Sequence, residues 1–121
     1  MRFGLSSEQE SFRDQLRRLL AERAPLDRVR EIAADGSGYD ERLWSGLTEL
    51  GAMGVLVPEE YGGLGMGTFD AGLVVEELGR AVAPVPYLGT AFVAPLVLAE
   101  SGSNSLAAEW LPAARRASAW R

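Results

Sequence analysis

The chain has 121 residues with 47% hydrophobic and 24% charged side chains, enough for one folded domain and too apolar for a disordered segment. It contains no cysteine and no histidine, and all twelve of its basic residues are arginine, so thiol, imidazole and lysine Schiff-base chemistry are excluded. The net charge of −5 is uneven, with nine arginines against fifteen acids in residues 1–80, and an acidic chain without a basic stripe is a poor nucleic-acid binder.

Ser6 and Ser7 stand three residues before Gln9 and Glu10, the pattern of a capping box. Phe12, Leu16, Leu19 and Leu20 follow at helical spacing, which predicts a first helix over about 7–24, stopped by Pro25. Leu26, Val29 and Ile32 suggest a short second helix before the loop Asp35-Gly36-Ser37-Gly38. Asp40 can cap a third helix that carries Leu43, Trp44, Leu47 and Leu50. Residues 54–67 hold five glycines and Pro58, so this stretch reads as irregular, with Val55-Leu56-Val57 as a buried extended segment. Thr68 can cap a helix over about 68–83 with Phe69, Leu73, Val74, Leu78 and Val82 on its apolar face. Pro84 and Pro86 turn the chain into a helix over about 87–101, kinked at Pro95. Gly102 ends it, and Ser103 caps a last helix with Leu106, Trp110 and Leu111 inward and Pro112 near its end. The period is helical nearly throughout, so the class is all-α: an orthogonal bundle of five to six helices with Phe12, Leu16, Leu43, Trp44, Leu47, Leu73, Leu78 and Leu111 in the core.

Few residues carry chemistry. The Gly62-Gly63-Leu64-Gly65-Met66-Gly67 run precedes a helix, but its spacing fails G-x-G-x-x-G and no lysine completes a P-loop, so a close-packing turn is the main reading. Glu76 and Glu77 point about 100° apart on a helix and do not form a catalytic dyad. One of them faces the interior and pairs with an arginine, with Arg80 as the candidate. Trp44 and Trp110 fall on apolar faces and read as core; Trp120 carries no pattern. Residues 81–99 contain no charge, yet Pro84, Pro86 and Pro95 argue against a membrane span. No leader is visible at the start, which suggests a cytoplasmic protein. A helix apolar on all sides must be covered on all sides. Tyr87, Leu88, Ala91, Phe92 and Pro95 are therefore candidates for the lining of an apolar pocket, against plain core or a domain interface as the other reading.

Several motifs in order carry a family resemblance: Leu5-Ser6-Ser7-Glu8-Gln9, Trp44-x-x-Leu47-x-x-Leu50-Gly51, Val57-Pro58-Glu59-Glu60-Tyr61-Gly62-Gly63-Leu64-Gly65, Glu76-Glu77-Leu78-Gly79-Arg80, and Gly102-Ser103 leading to Trp110-Leu111-Pro112. Together they resemble the N-terminal helical domain of acyl-CoA dehydrogenases, over residues 1–112, with 113–121 as an Arg/Ala-rich tail. The resemblance implies an FAD-dependent oxidoreductase that desaturates acyl-CoA between the α and β carbons. It implies FAD held between a middle β domain and a C-terminal helical domain, neither of them in this chain. The catalytic carboxylate belongs to that C-terminal domain, hydride passes to flavin N5, and an electron-transfer flavoprotein collects the electrons. No catalytic or cofactor-binding residue is then expected here, and the chain alone is expected to be inactive and to bind no FAD. Its share would be the acyl-tail side of the substrate pocket. Its partners would be acyl-CoA and the FAD-binding domains, or a partner subunit carrying them, in a homo- or hetero-oligomer. The ending after Pro112 resembles a truncation, a frameshift product or a fragment. The alternative is a non-catalytic helical interaction module, or a decayed remnant that keeps the fold.

Overall fold

The computed structural model describes residues 3–116. Among them the order is α1 (Ser7–Arg23), α2 (Leu26–Asp35), α3 (Glu41–Leu50), two short 3₁₀ turns (Ala52–Gly54 and Glu59–Tyr61), α4 (Thr68–Arg80), a π-helical turn (Leu88–Val93), α5 (Ala94–Glu100) and α6 (Asn104–Arg115), with no strand. The all-α bundle is as the hydrophobic period predicts. Helix α1 packs against both α3 and α4, α5 continues the π turn, and α6 rests on α5 and on the 3₁₀ turns.

The caps read at Ser6, Asp40 and Ser103 are present. Ser6 Oγ accepts the Gln9 N–H at 3.2 Å while Gln9 Oε1 accepts the Ser6 N–H at 2.9 Å, closing the capping box. Asp40 caps α3, its Oδ1 accepting from the N–H groups of Arg42 and Leu43 at 2.9 and 3.2 Å. Its Oδ2 accepts from Arg28 Nε on α2 at 2.9 Å, and its own N–H donates to the Pro84 carbonyl at 2.9 Å. Helix α4 differs: Gly67, not Thr68, is the capping residue, and the Asp70 side chain reaches back to the Gly67 N–H at 3.1 Å.

Leu16, Leu20, Leu43, Trp44, Leu47, Val74 and Leu78 fill the main core. Phe12 packs against it half-buried, and Leu73 is half-buried. The sequence reading missed the densest part. Ala52, Met53, Val55 and Val57 are almost wholly buried, and Val55 is helical (φ −54°, ψ −49°) where an extended segment was expected. The chain curls there because the glycine turn returns onto it: Leu64, Met66 and Gly65 donate their N–H groups to the carbonyls of Gly54, Val55 and Val57 at 2.8, 2.8 and 2.9 Å. A Cβ on Gly63 would overlap the Val57 carbonyl and side chain, so this close approach requires glycine.

Two helix faces are rotated from expectation. On α4, Ala71, Val74, Glu77 and Leu78 point inward while Phe69 and Val82 are exposed. The inward carboxylate is tolerable because Arg17 on α1 grips it twice, Nε to Oε2 and Nη2 to Oε1, both at 2.9 Å. One carboxylate of the pair faces the interior as expected, but its partner is Arg17; Arg80 pairs instead with the exposed Glu76 at 3.6 Å. On α6, the inward stripe is Ala107, Leu111 and Ala114, and Leu106 and Trp110 face out. The small alanines let α6 approach Val57 and the 3₁₀ turns closely, which a tryptophan at that seam would prevent. Trp120 and Arg121 lie outside the described residues.

Val82 ends α4 with φ +50°, and the bonds Ala83 N–H to Leu78 O (2.9 Å) and Val82 N–H to Gly79 O (3.1 Å) close a Schellman motif around it. A β-branched residue is strained in this left-handed position, which glycine usually occupies. Val82→Gly is therefore expected to stabilise the chain by about 0.5–1 kcal/mol, the relieved strain exceeding the added chain entropy. A urea melt with an unchanged or lower midpoint would show that the strain is not there.

Acid should weaken the fold through Asp40. Burial pushes its carboxyl up, but the hydrogen bond from Arg28 and those from the Leu43 and Arg42 N–H groups outweigh it, so it titrates below the ordinary value of 3.8. A depressed folded pKa gives stability that is present above about pH 4 and is lost as pH falls through the folded value. Asp40→Asn should thus be less stable than the parent at pH 7, with the gap closing as pH falls through the depressed folded value; a gap independent of pH would refute this.

Candidate functional site

The five candidate pocket residues lie on one helix that begins at Tyr87 and runs to Glu100, but they do not share a face. Tyr87, Ala91 and Pro95, spaced by four, are buried in the domain's own interior. Phe92 is half-buried against the same core, and Leu88 is 56% exposed. The local cause is Pro95. It has no N–H to give the Ala91 carbonyl, and its ring crowds that carbonyl. The helix answers by widening upstream: the Ala94 N–H reaches back five residues to Gly89 O, and Leu88–Val93 forms a π turn where a simple kink was expected. Thr90 adds a side-chain bond from Oγ1 to the Pro86 carbonyl at 2.5 Å.

Tyr87 fixes the start of this helix. Its phenol donates to the Ala52 carbonyl at 2.7 Å, tying the π turn to the first 3₁₀ turn. Burial pushes its pKa above the ordinary value, so it is a neutral donor at any working pH. Beside it, Val75, Leu78, Gly79, Ala83, Val85, Tyr87 and Leu88 border an apolar hollow of about 180 Å³. Around Gly89 there is open space. Of the candidate residues, Leu88 and Tyr87 thus meet at a small apolar recess, while Ala91 and Pro95 support the turn from behind. The sequence could not separate these roles, because every position in the run is apolar and the π turn shifts the register.

The other features offer little chemistry. The amides of Leu64, Gly65 and Met66 are spent on protein carbonyls, and at the start of α4 the Asp70 carboxylate, held also by Gln9 Nε2 at 2.9 Å, stands where a phosphate would sit. A hollow of about 340 Å³ bordered by Arg23, Tyr39, Glu41, Arg42, Trp44 and Ser45 is open and polar; Arg23 Nη1 is engaged there with the Arg42 carbonyl at 2.7 Å. Among the described residues no three acidic side chains gather as a metal site, and no helix is long and apolar enough to cross a membrane. With these amides already bonded to protein groups, the glycine turn and the start of α4 offer FAD no phosphate cradle, and no flavin step is assigned to them.

The family model "Acyl-CoA dehydrogenase, N-terminal domain" matches residues 6–117. The chain belongs to the acyl-CoA dehydrogenase family and corresponds to that domain. It is 41% identical over 101 residues to acyl-CoA dehydrogenase IpdE2 of Mycobacterium tuberculosis, covering 83% of this chain and 32% of the relative. It is 35% identical over 118 residues to (2S)-methylsuccinyl-CoA dehydrogenase of Cereibacter sphaeroides, covering 90% of this chain and 20% of the relative. A solved variant of the Tcur3481-Tcur3483 steroid ACAD superposes with a TM-score of 0.82 at 35% identity, over 90% of this chain and 30% of that one. The chain thus spans a third or less of the length of these relatives.

Removing the Tyr87 hydroxyl tests the tie between the two turns. Tyr87→Phe should cost about 1–3 kcal/mol, since the buried Ala52 carbonyl loses its donor. A loss under about 0.5 kcal/mol in a denaturant melt would mean that the bond fixes nothing.

Proposed function

We propose that the chain serves as the N-terminal domain of an FAD-dependent acyl-CoA dehydrogenase, and that its contribution to α,β-desaturation is one wall of the acyl-tail pocket. The flavin, the catalytic carboxylate and the electron-transfer contacts are carried by the rest of such an enzyme, on the same chain or on a partner subunit. The observation that carries this reading is the exposed end of the π turn. Leu88 lies half in solvent beside the apolar recess, with Phe92 one turn on and open space at Gly89, in a stretch without charge. Such a surface suits an acyl chain once a second wall closes over it. Tyr87, Ala91 and Pro95 take part by holding the turn in place. A soluble, cytoplasmic enzyme that acts on a free thioester needs no membrane anchor and no nucleic-acid surface, and this agrees with the acidic composition.

The test has two arms. The purified chain, incubated with FAD and passed over gel filtration, should come off colourless. Joined in place of the matching third of the M. tuberculosis relative, it should restore a flavin-retaining chimera. In that chimera Leu88→Trp should lower kcat/KM for long acyl-CoA substrates by about ten-fold or more while changing short ones little, because the added ring fills the tail end and not the reacting end. Ala91 is unsuitable for this purpose, being in the core. Equal losses at every chain length would return Leu88 to a packing role, and a flavin firmly held by the chain alone would overturn the division of labour.

A further inference from the structure

Helix α2 stands apart from the rest of the bundle. Its apolar side chains Leu26, Val29 and Ile32 belong to neither core cluster, and Ile32 is the one residue it buries. No other helix makes an extended contact with it, whereas α1 packs along both α3 and α4. Its first turn has no side-chain cap, since Pro25 stands at the capping position. Both ends are broken: Pro25 separates it from α1, and Gly36 and Gly38, with φ of +75° and +66°, turn the chain away after it. The ion pairs Arg30–Asp27 and Arg28–Glu31 lie within the helix and tie it to nothing else. Its polar hold on the domain is the Arg28 bond to Asp40 at 2.9 Å.

The far side of that bond is fixed without α2. Asp40 caps α3 through its other oxygen, and its N–H holds the Pro84 carbonyl. If Arg28 withdraws, Asp40 Oδ2 exchanges a guanidinium for the water that follows, and no charge is stranded. Leaving therefore gives up one buried side chain and one ion pair, far less than α1 or α3 would lose with Leu16 and Leu20, or with Leu43, Trp44 and Leu47. A ten-residue helix has no stability of its own in water, so leaving is also unwinding. We infer that α2 is a clasp that opens and unwinds as one unit while the remaining helices stay folded, with Arg28 on Asp40 as its latch. The moving part ends at Tyr39, whose ring rests edge-on against Trp44. Asp40 and the recess beside Leu88 stay in place, so the clasp is independent of the substrate reading.

Trypsin reads such an opening directly, because it cuts only after basic residues, here all arginine, and only where a helix has unwound. Brief digestion of the native chain should cut at Arg28 and Arg30 before Arg13, Arg17 or Arg18 of α1 and Arg80 of α4, as read by mass spectrometry. Native-state hydrogen exchange should show the amides of residues 30–35 exchanging about a hundred-fold or more faster than those in the middle of α1 and α3. Arg28→Gln removes the latch but leaves the Asp40 cap, and should speed exchange in α2 about ten-fold further while sparing α1 and α4. Arg30→Gln, which loses only the exposed pair within the helix, should change neither. Cuts in α1 as early as those in α2, or one exchange rate shared by α1, α2 and α3, would overturn the clasp. An Arg28→Gln chain that exchanges faster in every helix alike would overturn it too, since the bond would then belong to the whole fold. Unchanged exchange in α2 of that variant would overturn Arg28 as the latch.

Discussion

The buried carboxylate of Asp40 is the constraint on which the rest of the arrangement depends. A carboxylate taken out of water costs several kcal/mol unless every lone pair is met. Here one oxygen takes two N–H groups at the start of α3 and the other takes the Arg28 guanidinium. The backbone of the same residue donates to the Pro84 carbonyl. Three parts far apart in sequence are thereby fixed at one point: α2, the first turn of α3 and the crossing that delivers the chain to Tyr87. Helix α2 buries only Ile32, so the Arg28 bond is a large part of what holds it to the domain. Trp44, one turn into α3, then packs its ring edge-on to Tyr39 at 5.9 Å.

A second constraint is steric. The return of the glycine turn onto Val55–Val57 leaves no room for a side chain at Gly63. That contact compresses the 3₁₀ turns into the floor on which α6 lies and to which Tyr87 is bonded. Polar and steric ties meet at Tyr87: Asp40 sets where its helix begins, and Ala52 sets how it is oriented. The π turn follows from the same place, because a helix pinned at Tyr87 and carrying Pro95 eight residues later must absorb the missing hydrogen bond between them.

Local signals were legible in the sequence and long-range ones were not. The Ser6 box, the Asp40 and Ser103 caps and the helical periods of α1 and α3 are written within four residues of where they act. The inward carboxylate on α4 was also visible as a charge near an apolar face. Its partner was not, since Arg17 lies 60 residues away and the nearer Arg80 offered an equally good sequence rationale. Periodicity failed for α6 because a large residue was assumed to be an inward one. Ala107 and Ala114 win the interior by being small, and Trp110 is displaced to the surface. The five candidate site residues could be named but not sorted, since residues of one character give no contrast from which to read a face.

That sorting carries the functional argument. The same helix has a stripe at Tyr87, Ala91 and Pro95 turned into its own domain and exposed positions at Leu88, Val93 and Val97. The inward stripe is tied by packing and by a buried hydrogen bond, so changes there act on stability first. The outward positions contribute little to the isolated fold, so they are free to vary with whatever covers them. Leu88 opens the widened turn and Val97 follows it. In the reading proposed above, the domain folds around its inward stripe and lends its outward positions to a site that other protein completes.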